Sequence, residues 1–257
     1  MNPLRIIVIT LLFYNILNAQ TAITIIGTMH NPTPKVDAGR ILEAVKRVNP
    51  DLILMEFDSS LMDSTGKMLV DVKSNETTAM REFLKIKDIP VRPFDYKFRN
   101  KFYRDNKTFE NEEKFSKRMD SLYRAGAMDE GTKWFLQTYS KLNFTLKYFD
   151  NAELQTVNNA STSALLELRQ DLMYNGLLKA AECTPAMKDL LKFWKENGEF
   201  WNFRNSEMTK NIIRYANDFK DKKIVILVGY YHKYALVKNL KKEMPDNNYI
   251  LKEYWEY

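Results

Sequence analysis

The chain has two histidines, and each follows a glycine at the same interval, in Gly27-Thr28-Met29-His30 and Gly229-Tyr230-Tyr231-His232. Both glycines close apolar, β-branched runs, Ala22–Ile26 in the first case and Ile224–Val228 in the second. Glu56 ends a third such run, Leu52-Ile53-Leu54-Met55. In an open α/β sheet the side chains just past the strand ends project over the carboxyl edge, where ligands bind. A glycine at that point lets the backbone turn sharply. Two imidazoles and a carboxylate at one edge are groups suited to acid–base chemistry. Asp58 and Asp95 also follow candidate strands, so up to three carboxylates could converge with the imidazoles. An Asp in that position can equally cap the next helix. Arg204 lies in a helical pattern with Phe200, Phe203 and Met208 around it, and positions 204, 208 and 211 share one face. Its guanidinium could clamp a carboxylate or stabilise an oxyanion. Alternatively it ion-pairs with Glu56 or Asp95 and only closes the structure over the sheet.

These residues need elements to hold them. Ala22–Gly27 reads as a buried strand, and Asp37 caps a helix with Ile41, Leu42, Val45 and Val48 at helical spacing, closed by Pro50. Leu52–Phe57 then forms a second strand. Strand, helix and strand in so short a span make a βαβ unit, hence a parallel pair with a right-handed crossover. A helix near Thr77–Lys87 precedes a short strand around Ile89–Phe94. From about 109 to 219 the pattern is helical. Lys222–Gly229 is a strand with the fully apolar body Ile224–Val228 and therefore central, followed by a helix from about Tyr234 to Glu243 and an edge strand at Tyr249–Tyr254. The expected fold is α/β, with a mixed, mostly parallel sheet, flanking helices, and a large helical insertion at roughly 100–219 between the two sheet halves.

The same residues carry a resemblance. Ile25-Ile26-Gly27-Thr28-Met29-His30 resembles the first motif of the TraB/PrgY/GumN and Tiki superfamily, and Val48–Glu56 resembles the segment that follows it. Arg204-Asn205-Ser206-Glu207-Met208, with Asn211-Ile212, is similar to that group's helical Arg-Asn motif, and Val228–His232 to its closing motif. The Tyr230-Tyr231 pair departs from the small residues common there, and could narrow the pocket or add hydroxyl donors. The resemblance implies a fold shared with erythromycin-esterase-like and haem-uptake ChaN-like proteins. For the Tiki branch it implies metal-dependent proteolysis, with His30, Glu56 and His232 as the ligands, which Asp95 could join. Two imidazoles with carboxylates suit a divalent zinc, manganese, cobalt or iron ion, with Arg204 stabilising developing charge. For the esterase-like branch it implies a histidine base without metal, oriented here by Glu56. A third reading is an exported pocket that binds haem or a peptide without turning it over.

Composition narrows the field. With 257 residues, 45% of them apolar and only 8 Gly and 8 Pro, the chain is globular with one main core. A single cysteine, Cys183, excludes an internal disulfide framework, and its helical context makes it a small buried residue. The 33 aromatic residues are expected to fill the helical core. The net charge of +6 is spread among 33 acidic residues, as in Lys220-Asp221-Lys222-Lys223, which argues against nucleic acid as a partner. No zincin, nucleophile-elbow or P-loop motif is present. Met1–Ala19 combines a basic start, the apolar run Ile6–Leu17 and a small residue at Ala19, the pattern of a signal peptide. The mature chain, 20–257, is then expected as one exported domain in the periplasm or outside the cell. No stable membrane insertion is expected after cleavage, and the partner is a small-molecule or peptide substrate.

Overall fold

A computed structural model describes residues 20–257 apart from 62, 64–68 and 70. The expected signal segment, 1–19, lies outside the described residues. Strand β1 (Thr21–Thr28) leads into α1 (Ala38–Val48), whose first turn is capped by the Asp37 side chain, which accepts from the Arg40 N–H. Strand β2 (Leu52–Met55) follows, then α2 (Asn75–Leu84) and β3 (Val91–Pro93). The insertion comprises α3 (Arg99–Asp105), α4 (Thr108–Arg124), α5 (Glu130–Leu146), α6 (Leu154–Asn158), α7 (Ala160–Asp171), α8 (Leu177–Glu182) and the long α9 (Leu191–Asp218). Strand β4 (Lys223–Gly229), α10 (Tyr230–Glu243) and β5 (Tyr249–Leu251) complete the fold.

The strands run in the order β3-β2-β4-β1-β5, and every pair is parallel. β4 slots between β1 and β2, so the last segments of the chain complete a sheet that the first segments leave open. Alternation along the strands divides the core. Ile26, Ile53, Met55, Val225 and Leu227 pack with Ile41, Val45 and Val48 of α1 and with Met80 and Phe83 of α2. Ile23, Ile25, Leu54, Ile224, Ile226 and Val228 face Met208 and Ile212 of α9 and Leu236 and Leu240 of α10. A sheet buried on both faces needs strands that are apolar throughout, which explains the unbroken runs in β2 and β4. A satellite core around Phe115, Met187 and Trp194 holds the insertion together.

Four expectations shift. The sheet is wholly parallel among the described residues, not mixed. α10 begins at Tyr230 instead of near Tyr234, so His232 lies in the first turn of a helix, not in a loop. Cys183 is exposed, because it stands at the carboxyl end of α8 off its packed face. Several aromatic rings are exposed instead of filling the core, among them Phe98, Phe109, Trp134, Phe144, Tyr148 and Phe203. No helix among the described residues is long and apolar enough to cross a membrane.

Candidate active site

The carboxyl ends of β1, β2 and β4 lie side by side, with Thr28 opposite Gly229 and Met55 opposite Leu227. His30 follows β1, Glu56 follows β2, and His232 opens α10 after β4. Asp95 lies two residues past β3. Arg204 enters from α9, on the helical face the sequence pattern assigned to it. Asn211, farther along that face, donates to the Phe94 carbonyl at 3.1 Å and fixes the helix against the sheet edge.

Arg204 is the hub. Its Nε and Nη2 grip Asp95 in a fork, both at 2.8 Å, while Nη2 also reaches Glu56 Oε1 at 2.5 Å. Nη1 donates to His232 Nε2 at 2.9 Å. Asp95 receives a second cation, Arg99, at 2.6 Å. Four of the five guanidinium N–H bonds are thereby committed, and one on Nη1 remains. Arg204 is buried, and although burial works against its charge, the Asp95 bonds and the Glu56 charge outweigh it and raise its pKa. Glu56 is held down to about 2: burial opposes ionisation, and the Arg204 charge, the Gly229 N–H and, once it is protonated, the His232 imidazolium overcome it. That N–H donates to Glu56 Oε2 at 2.6 Å.

His232 is fully committed. Its Nδ1 bonds Asn205 Oδ1 at 2.7 Å. The Asn205 amide nitrogen is spent on the Trp201 carbonyl, so the oxygen faces the imidazole and Nδ1 carries the proton. Nε2 then accepts from Arg204. Trp201 stacks on the ring with centroids 4.1 Å apart. Burial, reinforced by the adjacent Arg204 charge, lowers the His232 pKa to about 3, so the ring is neutral at physiological pH.

His30 is different. Its side chain is 62% exposed, and its Nδ1 lies 2.9 Å from Glu76 Oε1. Glu76 belongs to the first turn of α2 and is buried. Its Oε1 also accepts from the Thr28 hydroxyl, and its Oε2 has no hydrogen-bond partner among the described residues. The hydrogen bond to Glu76 is the main cause that raises the His30 pKa, against an opposing effect of burial. A carboxylate on Nδ1 fixes the tautomer that leaves the Nε2 lone pair free. The start of α2 also holds the His30 loop, since Asn75 N–H donates to the His30 carbonyl at 3.0 Å and its side chain to the Met29 carbonyl at 2.9 Å.

The two glycines serve close approach, not a special backbone conformation, since neither has positive φ. A Cβ on Gly229 would stand 3.3 Å from both His30 Nε2 and Glu56 Oε2, between the two halves of the site. A Cβ on Gly27 would meet the Tyr230 Cα at 3.1 Å. The Gly27 amide and carbonyl are both gripped by the Asn158 side chain from α6, at 2.7 and 2.9 Å. Asn158 is in turn held by the buried Lys233. Tyr230 and Tyr231 turn their rings to the insertion, beside Phe149 and under Arg169 respectively.

The structure therefore brings Glu56, Asp95, Arg204 and His232 into one bonded cluster and sets His30 beside it across Gly229. Asp58 stays outside, accepting from the Ser60 N–H as a local turn cap. Glu56 orients neither imidazole by a hydrogen bond, the nearest approach being 3.7 Å to His232 Nε2. That role falls to Glu76 for His30 and to Asn205 for His232. Glu76 has a signal in the sequence, an acid in the first turn of a helix opened by the Ser74-x-x-Thr77 cap, but no spacing ties it to His30. For a metal ion, the donors as folded do not fit: the guanidinium lies among Glu56, Asp95 and His232, and His232 has no free lone pair. Among the described residues no group of three or more His, Cys, Asp or Glu side chains is arranged to hold one. No family model, no curated protein and no solved structure matches the chain.

Proposed function

We propose that the protein is a hydrolase acting on an ester or similarly activated carbonyl, with His30 as a metal-independent general base positioned by Glu76. The observation that carries this reading is the pairing itself: a buried carboxylate on Nδ1 of a largely exposed imidazole, whose Nε2 lies close to Gly229 and has no hydrogen-bond partner among the described residues. That is the arrangement by which an imidazole takes a proton from water. A water beside Nε2 gives its proton to it, and the water oxygen forms a bond to the carbonyl carbon as the C=O electron pair moves onto oxygen. Collapse of the adduct expels the alkoxide, which recovers the proton from the His30 imidazolium. The donors that this reading assigns to the developing oxyanion are the Nη1 proton of Arg204 that has no partner among the described residues and the first turn of α10, which has no side-chain cap. The Arg204–Asp95–Glu56–His232 cluster keeps these donors fixed.

The reading agrees with the esterase-like side of the sequence resemblance. Its setting outside the cytoplasm rests on the Met1–Ala19 pattern. The metal-dependent peptidase reading of the same residues requires Arg204 to withdraw from Glu56, Asp95 and His232. Turnover of an ester and peptide panel by the purified protein, with and without chelator, separates the two. Chelator-insensitive turnover that falls by about 10²-fold or more in His30→Gln supports the proposal. Turnover unchanged in that variant, or abolished by chelator and restored by zinc, manganese or cobalt, overturns it.

A further inference from the structure

Beside the Arg99–Asp95–Arg204 chain of ion pairs lies a cleft of about 720 Å³, lined by Arg99, Tyr103, Arg104, Lys107, Thr108 and Glu110 among others. It shares its edge with the site. Arg99 binds Asp95 directly, and it is close enough to His30 to reduce the basicity of that imidazole. Tyr103, in the cleft wall, feels the charges of Arg204, Asp95 and Glu56.

The floor of the cleft is the amino end of α4, a helix of 17 residues. Its cap residue, Lys107, makes no side-chain capping bond, so the first N–H groups of the helix lack side-chain acceptors. Thr108 is 2% exposed, and its hydroxyl makes no hydrogen bond among the described residues. A buried hydroxyl without a partner is uncommon in a folded protein and calls for an explanation, an unseen water, ion or ligand group among them. Arg104 and Lys107 are exposed and have no carboxylate partner among the described residues, whereas Arg99 is already neutralised by Asp95. Glu110, on the same first turn, offsets one charge, and the cleft stays positive.

We propose that this cleft binds an oxyanion group carried by the substrate, a phosphate or a carboxylate, through Arg104, Lys107, the Thr108 hydroxyl and the free N–H groups of α4. The inference rests on the hydrolase reading for the word substrate, and on the cleft alone for the anion. An anion seated there places the rest of the molecule along Tyr103 and Arg99 towards His30. The substrate class is then an ester bearing a second, negatively charged group. Uncharged esters bind only through the reacting centre.

The test is direct binding of inorganic phosphate, and separately of acetate, to the purified protein by calorimetry at low ionic strength. Thr108→Val, the double variant Arg104→Gln/Lys107→Gln, and His30→Gln are compared with the parent. Loss of charge-assisted hydrogen bonds is expected to weaken phosphate binding about tenfold or more in the double variant. A smaller loss is expected in Thr108→Val, with folding intact because the hydroxyl has no bond to lose. Binding should be unchanged in His30→Gln and should fall as salt is added. Preference for phosphate over acetate assigns a phosphate group, and the reverse a carboxylate; both support the proposal. No binding in the parent, or equal binding in parent and double variant, overturns it. Because the readout needs no turnover, intact anion binding beside an inactive parent would remove the hydrolase reading and leave the anion site standing.

Discussion

Glu76 Oε1 lies 2.9 Å from His30 Nδ1, although the two residues are 46 positions apart. The carboxylate is buried, the imidazole is largely exposed, and the hydrogen bond between them sets both the direction in which Nε2 points and its affinity for a proton. A base must be unprotonated to act, so the raised His30 pKa places the acid limb of the pH–rate profile above the usual imidazole value. Glu76→Gln removes the carboxylate charge and leaves only a weaker, neutral amide acceptor for Nδ1. The expected outcome is an acid limb moved to lower pH, with kcat reduced about tenfold or more through loss of orientation. A profile that keeps its position in the variant would show that Glu76 does not set the His30 proton affinity.

Linkage gives the same pair a stability signature. A histidine whose folded pKa lies above its unfolded value contributes stability that is present below the unfolded pKa, near 6.5, and lost as pH rises through the raised folded value. Denaturation midpoints measured across that window should fall less steeply with rising pH in Glu76→Gln than in the parent. Equal slopes would contradict the pairing.

His232 has the opposite sign. Its folded pKa is lowered to about 3, so below about 6.5 the unfolded chain binds a proton that the folded chain refuses. Stability from this group is full above about 6.5 and falls as pH drops towards 3, by roughly 3–5 kcal/mol over the whole window. His232→Gln, which has no titrating group, should flatten that acid slope while lowering stability at neutral pH, because Arg204 and Asn205 lose their partner. Guanidinium denaturation at a series of pH values measures both effects.

Much of this architecture is legible in the sequence, and the limits have physical causes. β4 announces itself because Ile224–Val228 is buried on both faces, and only a central strand of a parallel sheet needs that pattern. Glu56, Asp95 and both histidines stand just after apolar strands, so their meeting at one edge follows from the sheet once β4 lies between β1 and β2. Glu76 gives no such sign. Its approach to His30 depends on Asn75 holding the His30 and Met29 carbonyls, a loop-to-helix contact that no periodicity encodes. The ion pair of Arg204 with Glu56 and Asp95 was one of two readings the sequence offered: a guanidinium and a metal ion compete for the same carboxylates and imidazole, and residue types alone do not say which one they surround. The glycines were read as turn residues, yet their requirement is space, which appears only when the neighbouring side chains are in place.

Arg204 offers a test of that central position. Its planar fork serves Asp95 and Glu56 at once while Nη1 reaches His232, a geometry that a single ammonium cannot reproduce. Arg204→Ala leaves two buried carboxylates without their shared cation and should cost about 3–5 kcal/mol in stability. Arg204→Lys should restore only part of it. Denaturant titration at neutral pH measures the loss, and a cost below about 1 kcal/mol for the alanine variant would mean that the cluster does not hold the insertion to the sheet edge.

Gly229 separates chemistry from folding most cleanly. Its backbone φ of −54° is open to any residue, so alanine meets no conformational penalty there. The added Cβ would stand 3.3 Å from His30 Nε2 and from Glu56 Oε2, tight enough that both must give by a few tenths of an ångström. It would also crowd the side of Nε2 from which the proposed water attacks. Gly229→Ala should therefore keep stability within about 1–2 kcal/mol of the parent while lowering kcat by about tenfold or more, with KM for a charged ester little changed. The split between kcat and KM is the informative part. A variant that folds normally and turns over at the parental rate would remove the space over Gly229 from the reaction path, and with it the case for attack by water on that side of His30.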